Sequence, residues 1–351
     1  MTRSILAEIS QEHLEAGATD LLFRVGEVPR VRREGALQLT QDPPVSVELV
    51  MEFADLCGVD LSGRCEVDAR LKLESGSLRA NFYQASGRLA LAVRPIKEEI
   101  PSLEDLGLPV QLLRDWVDRK SGILLVTGPT GAGKSTTLAA CLQDLNQRAA
   151  RHIITVEDPV EYLFSHEQCF FSQREVEADT ASFSDALRSS LRQSPDLIMI
   201  GEIRDEETAR FALRAAETGH LVLATLHSSG VVETVERVCN LFSGNDQESA
   251  TSLLAQQLIG ILSQKLLPRV DDGLQLVYEH LLNQGATRKW IKTRAMTDLA
   301  DFLRRNEPPE WNRDFLTSLL EVVNAGQVRR EDAVLAAANP GNFNRLLSGI
   351  S

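Results

Sequence analysis

Residues 122–138 read Gly122-Ile-Leu-Leu-Val-Thr127-Gly128-Pro-Thr-Gly-Ala-Gly-Lys134-Ser135-Thr-Thr-Leu138. A short apolar run of strand length is followed by G-x-x-x-x-G-K-[ST] and then by a helical run, the order that a phosphate-binding loop requires. Gly131 and Gly133 permit the backbone angles that turn successive N–H groups toward an anion. Lys134 can neutralise the charge of β- and γ-phosphates, Ser135 can ligate Mg²⁺, and the helix that follows presents its positive end. Gly128, Pro129, Thr130, Gly131, Ala132, Gly133, Lys134, Ser135 and Thr136 are therefore predicted to hold a nucleotide. The motif predicts nucleotide binding without naming the reaction that follows.

Outward from this loop the chain alternates apolar runs with helical segments, as in a parallel α/β sheet. The runs Ile123 to Val126, Ile153 to Val156, Leu197 to Ile200 and Leu221 to Ala224 each end in a polar or glycine-containing turn. Ligands in such sheets bind beyond the carboxyl ends of the strands, so these turns are where chemistry is expected. After Ile200 comes Gly201-Glu202-Ile-Arg204-Asp205, and Glu202 is predicted to orient the attacking water or to hold Mg²⁺ through water. After Val156 comes Glu157-Asp158-Pro159, where Glu157 and Asp158 are candidates for organising the metal's water shell and Pro159 keeps the turn out of helical geometry. His227 follows the fourth run and can sense a γ-phosphate by hydrogen bonding. His220 precedes it, at the far end.

The remainder of the chain reads differently. Ile5, Leu6, Ile9 and Leu14 predict a helix over 4–16 closed by Gly17. From Asp20 to Ile96, short alternating runs with breaks at Ser75-Gly76 and Ala85-Ser86-Gly87 predict hairpins in a small α+β domain. The polar stretch 97–109, with Pro101 and Pro109, reads as a linker, and after Phe242 the chain is expected to be mostly helical. The predicted division is 1–96, 97–109 and 110–351. A net charge of −13 and only 5% aromatic residues oppose nucleic acid as a partner. The five cysteines form no C-x-x-C pair, which opposes a zinc knuckle and predicts reduced thiols. The N-terminus has no signal-peptide pattern, and no apolar run approaches the roughly 18 residues of a membrane span. A cytoplasmic protein is expected, held at any membrane by a partner.

Four stretches now carry a resemblance. GPTGAGKST (128–136), ITVEDPVEY (154–162), LRQSPDLIMIGEIRD (191–205) and AAETGHLVLATLHSS (215–229) resemble, in order, the Walker A, Asp box, Walker B and His box of the secretion and type IV pilus ATPase superfamily. QREVEADTASFSDALRSSLRQ (173–193) is close to its PilT-like branch. More weakly, GATDLLFRVGEVPRVRREG (17–35) resembles the opening of its N-terminal domain, SQKLLPR (263–269) a stretch downstream of its His box, and ANPGNF (338–343) its C-terminal end. Length and the absence of a four-cysteine element favour that short branch.

The resemblance implies an α/β protein with a RecA-like P-loop NTPase core and a smaller N-terminal PAS-like α+β domain. It implies ATP and Mg²⁺ as ligands and a homo-hexamer. The implied function is that of a motor powering pilus retraction in twitching motility, docked peripherally on a platform protein of the inner membrane. Glu202 matches the glutamate thought to activate water, Glu157 the Asp-box glutamate, and His220 and His227 the His-box pair. Arg79 and Arg94 match the arginines that reach phosphate from the N-terminal domain, and Arg188 and Arg192 the pair before Walker B. Two departures stand out: Ser77 replaces the first arginine of an RFRVN-like stretch, and Ala286 to Thr293 diverges from the element that retraction ATPases use. The alternative is an accessory PilU-like paralogue, or a secretion-system subunit, that binds nucleotide and assists another motor. A RecA-like nucleic-acid motor and a kinase fit the composition less well.

Overall fold

Between Asp20 and Ile96, apolar and charged residues alternate because one face of an antiparallel sheet must be buried while the other stays wet. The structure, a computed structural model, describes residues 4–33, 36–73, 76–97, 99–305 and 310–348. It divides into two units. The first comprises Met1–Glu99 with two later segments, Val160–Leu163 and Glu177–Asp179, which a division by chain order does not anticipate.

In the first unit α1 (Ile5–Glu15) precedes β1 (Asp20–Arg24), β2 (Arg30–Arg33) and β3 (Ala36–Leu39), and α2 (Val47–Leu56) precedes β4 (Glu66–Leu73), β5 (Gly76–Ala85) and β6 (Arg88–Ile96). The six strands form one sheet in the order β3-β2-β1-β6-β5-β4. Its apolar residues join those of the two helices in a core that includes Leu6, Leu21, Phe23, Val50, Phe53, Phe82, Leu91 and Val93. Gly17, at φ 83°, follows α1 as expected. Ala85 pairs with Arg88, so that turn holds two residues and not three. Ser86 (φ 54°) and Gly87 (φ 73°) both take the left-handed region, which matches the turn to the twist of the strands. Leu73 pairs with Gly76, which makes Gly76 the first residue of β5. Ser75 lies outside the described residues.

In the second unit α3 (Val110–Val117) leads to β7 (Gly122–Thr127), α4 (Lys134–Arg148), β8 (His152–Glu157), β9 (Phe170–Glu175), α5 (Phe183–Ser190), β10 (Leu197–Ile200), α6 (Glu206–Glu217), β11 (Leu221–Leu226) and α7 (Val231–Asn240). Strands β7, β10 and β11 are buried at every residue, as continuous apolar runs are when helices cover both faces. One face packs on residues of α6, α7 and α8 (Asn245–Gln257), the other on α3 and α4 through Leu113, Trp116, Leu138, Leu142 and Leu145.

The expectation of a mostly helical chain after Phe242 needs correction. Two long strands, β12 (Leu258–Pro268) and β13 (Leu274–Leu282), follow α8 without a linker. Their apolar spacing does not separate strand from helix. The pairing does, because β12 lies parallel to β7 and antiparallel to β13. Then come α9 (Ala286–Lys292), α10 (Met296–Arg305), β14 (Asn312–Arg313), α11 (Phe315–Asn324), α12 (Arg330–Ala336) and α13 (Pro340–Leu347). The full order is β14-β13-β12-β7-β11-β10-β8-β9, with β7 inside the sheet. On β12, Lys265 Nζ donates to the carbonyl of Ala336 (3.1 Å) and lies 4.6 Å from the centre of the Phe315 ring, tying the strand to the C-terminal helices.

All five cysteines are free, with Cys141, Cys169 and Cys239 buried, Cys57 half-buried and Cys65 exposed. Among the described residues no helix is long and apolar enough to cross a membrane.

Candidate active site

Because β7, β11, β10 and β8 are adjacent and parallel, their carboxyl ends share one edge of the sheet. That edge gathers the phosphate loop, His227, Glu202 and the Glu157-Asp158 turn. The loop leaves β7 through Gly128 (φ 148°), turns at Gly131 (φ 78°) and enters α4 from Gly133 (φ 84°). A Cβ at Gly128 would lie 2.3 Å from the carbonyl oxygen of Gln264, so no other residue fits there without moving β12. Nothing stands within 4 Å of where a Cβ at Gly131 would be, which leaves the crown of the loop open to a ligand.

Lys134 is buried, and its ammonium donates to the carbonyls of Gly128 (3.0 Å) and Pro129 (3.1 Å). It also stands 3.2 Å from His227 Nδ1. An ammonium can only donate, so Nδ1 accepts and the ring proton sits on Nε2. That nitrogen lies 3.2 Å from Glu202 Oε1. The other oxygen, Oε2, accepts from Arg204 Nε at 2.8 Å, and Arg204 Nη1 is 3.4 Å from Asp158 Oδ2. An unbroken line of polar contacts therefore runs Lys134–His227–Glu202–Arg204–Asp158 across four strand ends. Glu202 comes first among the causes that raise the Arg204 guanidinium above its ordinary range.

Glu157 closes β8 as a buried carboxylate that accepts from the Thr155 hydroxyl (2.6 Å). Ser135 and Thr136 open the first turn of α4. Among the described residues no three Asp, Glu, His or Cys side chains form a metal-holding group. A hydroxyl with one or two carboxylates is nevertheless the oxygen donor set that suits Mg²⁺, which keeps waters and takes phosphate oxygens as further ligands.

Several expected residues lie elsewhere. His220 stands at the opposite end of β11, where its ring contacts the Thr218 hydroxyl and the Ala215 carbonyl at 3.2 Å each. Arg188 pairs with Glu207 (2.5 Å), and Arg192 donates to the carbonyl of Arg188 (3.2 Å). In the first unit Arg79 and Arg94 are direct cross-strand partners on the face away from its core. Arg79 is paired with Asp68 at 3.2 Å and Arg94 with Asp20.

Other contributors were not singled out as site residues in the sequence. Gln264 on β12 is buried, donates to the Ala132 carbonyl (2.5 Å) and accepts from the Thr137 hydroxyl (3.0 Å), bracing both arms of the phosphate loop. Thr234 links the Thr127 hydroxyl (3.1 Å) to that of Ser228 (2.6 Å), joining the end of β7 to the residue after His227. Glu279 on β13 accepts from the Val231 N–H at the start of α7 (2.5 Å).

Fold and site together define a P-loop ATPase with a RecA-like core. The sequence profile of the type II/IV secretion system protein family matches residues 66–302, and the chain belongs to that family. It is 33% identical over 345 residues to the type IV pilus ATPase PilT of Pseudomonas aeruginosa, covering 96% of this chain and 99% of that one. To PilU of the same organism, also a type IV pilus ATPase, it is 34% identical over 343 residues, covering 95% and 88%. A crystal structure of the pilus retraction motor PilT with bound ADP superposes with a TM-score of 0.89 at 38% identity, over 98% of this chain and all of that one.

Proposed function

We propose that the protein is the Mg²⁺-dependent, ATP-hydrolysing subunit of a homo-hexameric motor that works in the cytoplasm on an inner-membrane platform protein of a type IV pilus, powering retraction. The observation that carries this reading is the 3.2 Å contact between His227 Nε2 and Glu202 Oε1, because it links the phosphate-side lysine to the carboxylate on the neighbouring strand end.

In the proposed reaction Lys134, the amides of the phosphate loop and the start of α4 hold the β- and γ-phosphates. Ser135 and Asp158 would hold Mg²⁺, which would supply positive charge to offset the charge that develops on phosphate oxygens. Glu202 accepts a hydrogen bond from the attacking water and aims it along the line of the breaking bond. Glu157, fixed by Thr155, would accept hydrogen bonds from water bound to the metal. His227 keeps Glu202 in place and registers whether Lys134 is engaged by phosphate. Arg79 and Arg94 bring charge that stays positive and can grip phosphate oxygens in pairs, which suits a domain that closes on bound nucleotide.

An accessory role beside a paralogous motor is the second reading. It is motivated by a similarity to PilU, 34% identical, that is as high as that to PilT, 33% identical. Both are tested by Mg²⁺-dependent ATP hydrolysis of the purified protein, wild type against Glu202→Ala and Lys134→Ala, with oligomer size measured in the same buffer. Turnover by the wild-type hexamer that both substitutions abolish supports the motor. A folded hexamer that binds ATP and never turns it over supports the accessory subunit, and full activity in Lys134→Ala would sink both.

A further inference from the structure

Arg204 has no role in the reaction as drawn so far, yet it touches two of its carboxylates. Its Nε donates to Glu202 Oε2 at 2.8 Å, and its Nη1 reaches Asp158 Oδ2 at 3.4 Å. Glu202 Oε1 is meanwhile held from the other side by His227. With both oxygens engaged by groups on different strand ends, the plane of the Glu202 carboxylate is fixed and not free to rotate.

The backbone that carries Arg204 is anchored on both sides. The Ile203 N–H donates to the Thr225 carbonyl on β11 (2.9 Å), and the Ile203 side chain is buried. Asp205 caps α6 by accepting from the Thr208 N–H (2.8 Å). The guanidinium is therefore aimed by a rigid turn, the condition under which a supporting residue can hold a reacting group within a fraction of an ångström. Stability does not account for the arrangement. The Arg204 side chain is 59% exposed, and ion pairs at such positions contribute about 0–1 kcal/mol.

We propose that Arg204 is a positioning residue for hydrolysis: it sets the direction of the Glu202 carboxylate and the spacing between Glu202 and Asp158. This rests on the reading that Glu202 aims the attacking water. A lysine at 204 would offer one ammonium on a flexible stem in place of a planar fork, so it can restore part of the effect but not both contacts at once.

The test is ATP hydrolysis by full-length protein carrying Arg204→Ala or Arg204→Lys, each alone and combined with Glu202→Ala, under steady-state conditions and in single turnovers with enzyme in excess. Binding of a fluorescent ADP and thermal melting are recorded alongside. We expect Arg204→Ala to lower kcat by about 10- to 100-fold with KM for ATP and ADP affinity within about threefold of wild type, a split that a loss of folding does not produce. Arg204→Lys should recover part of kcat. In the Glu202→Ala background the residual single-turnover rate should be the same with or without Arg204. A kcat within twofold of wild type for Arg204→Ala, beside an inactive Glu202→Ala, overturns the proposal and leaves Arg204 a surface ion pair. An equal loss in both backgrounds also overturns it, since Arg204 would then act independently of Glu202. If Glu202→Ala is itself active, the underlying assignment of Glu202 has failed, and the proposal falls with it.

Discussion

Thr137, one turn into α4, donates its hydroxyl to the side-chain carbonyl of Gln264 at 3.0 Å, and the amide of the same glutamine donates to Ala132 within the phosphate loop. The loop is thus braced by a strand that enters the sheet long after it in the chain. Gln264→Ala leaves the Ala132 carbonyl and the Thr137 hydroxyl without these partners in a buried site, a loss of about 1–3 kcal/mol. We expect a lower melting temperature and roughly tenfold weaker binding of a fluorescent ADP; unchanged affinity would show that the loop holds its shape without β12.

His227 spans Lys134 and Glu202, so its removal frees both without deleting either. His227→Ala should reduce the single-turnover rate of ATP hydrolysis by about 100-fold, in the range of general acid–base and orienting groups, with ADP affinity changed by less than about threefold. Rapid-quench measurement with enzyme in excess reads the rate directly. A parallel fall in affinity and rate would mean that the histidine supports binding and not the aim of Glu202.

Arg79 and Arg94 face one another across β5 and β6, an arrangement of like charges that costs stability unless acids compensate, as Asp68 and Asp20 do. Arg94→Ala should shift the melting temperature of the free protein little, since an arginine this exposed contributes about 0–1 kcal/mol, while Arg79→Ala, which breaks a half-buried pair with Asp68, should lower it more. If they meet phosphate in the assembled motor, ATP turnover should fall tenfold or more, to about a tenth of wild type or below. Turnover at the wild-type rate would reduce both to ion pairs of the sheet face.

Glu279 gives stability a dependence on pH. Burial pushes its carboxyl up to about 7, reinforced by Asp314 and opposed by the N–H groups of Val231 and Phe315 and by Lys265. The folded protein therefore keeps a proton that the unfolded chain releases in the ordinary carboxylate range. The stability this group contributes is fully present below that range and falls as pH rises through about 7. Glu279→Gln removes the penalty, so its melting temperature should gain on wild type between pH 5 and pH 8.5, by the equivalent of on the order of 2–3 kcal/mol. A constant difference across that range would contradict the assignment.

The strands of the core were readable because they are buried on both faces and punctuated by the turns that carry the chemistry. Glu202 and His227 were singled out because ligands in such sheets bind beyond the carboxyl ends of the strands, and the structure brings the two within 3.2 Å of each other. Gln264 and Glu279 were not. Each lies within a long strand whose apolar spacing does not distinguish sheet from helix; where Gln264 faces depends on the pairing of β12 with the distant β7, and where Glu279 faces on the pairing of β13 with β12. The turn at Ser86-Gly87 shows the limit on a smaller scale: composition marked the break, while the register of Ala85 with Arg88 decided its length.

Gln264 and Lys265 are consecutive on β12, so their side chains leave on opposite faces of the sheet, one to the phosphate loop and the other to the Ala336 carbonyl. The strand lies between β7 and β13, hydrogen-bonded to both. A displacement of the phosphate loop against Gln264 would act on the same strand that carries Lys265 and its contact with α12. Two consecutive residues of one strand thus join the phosphate loop on one face of the sheet to the C-terminal helices on the other.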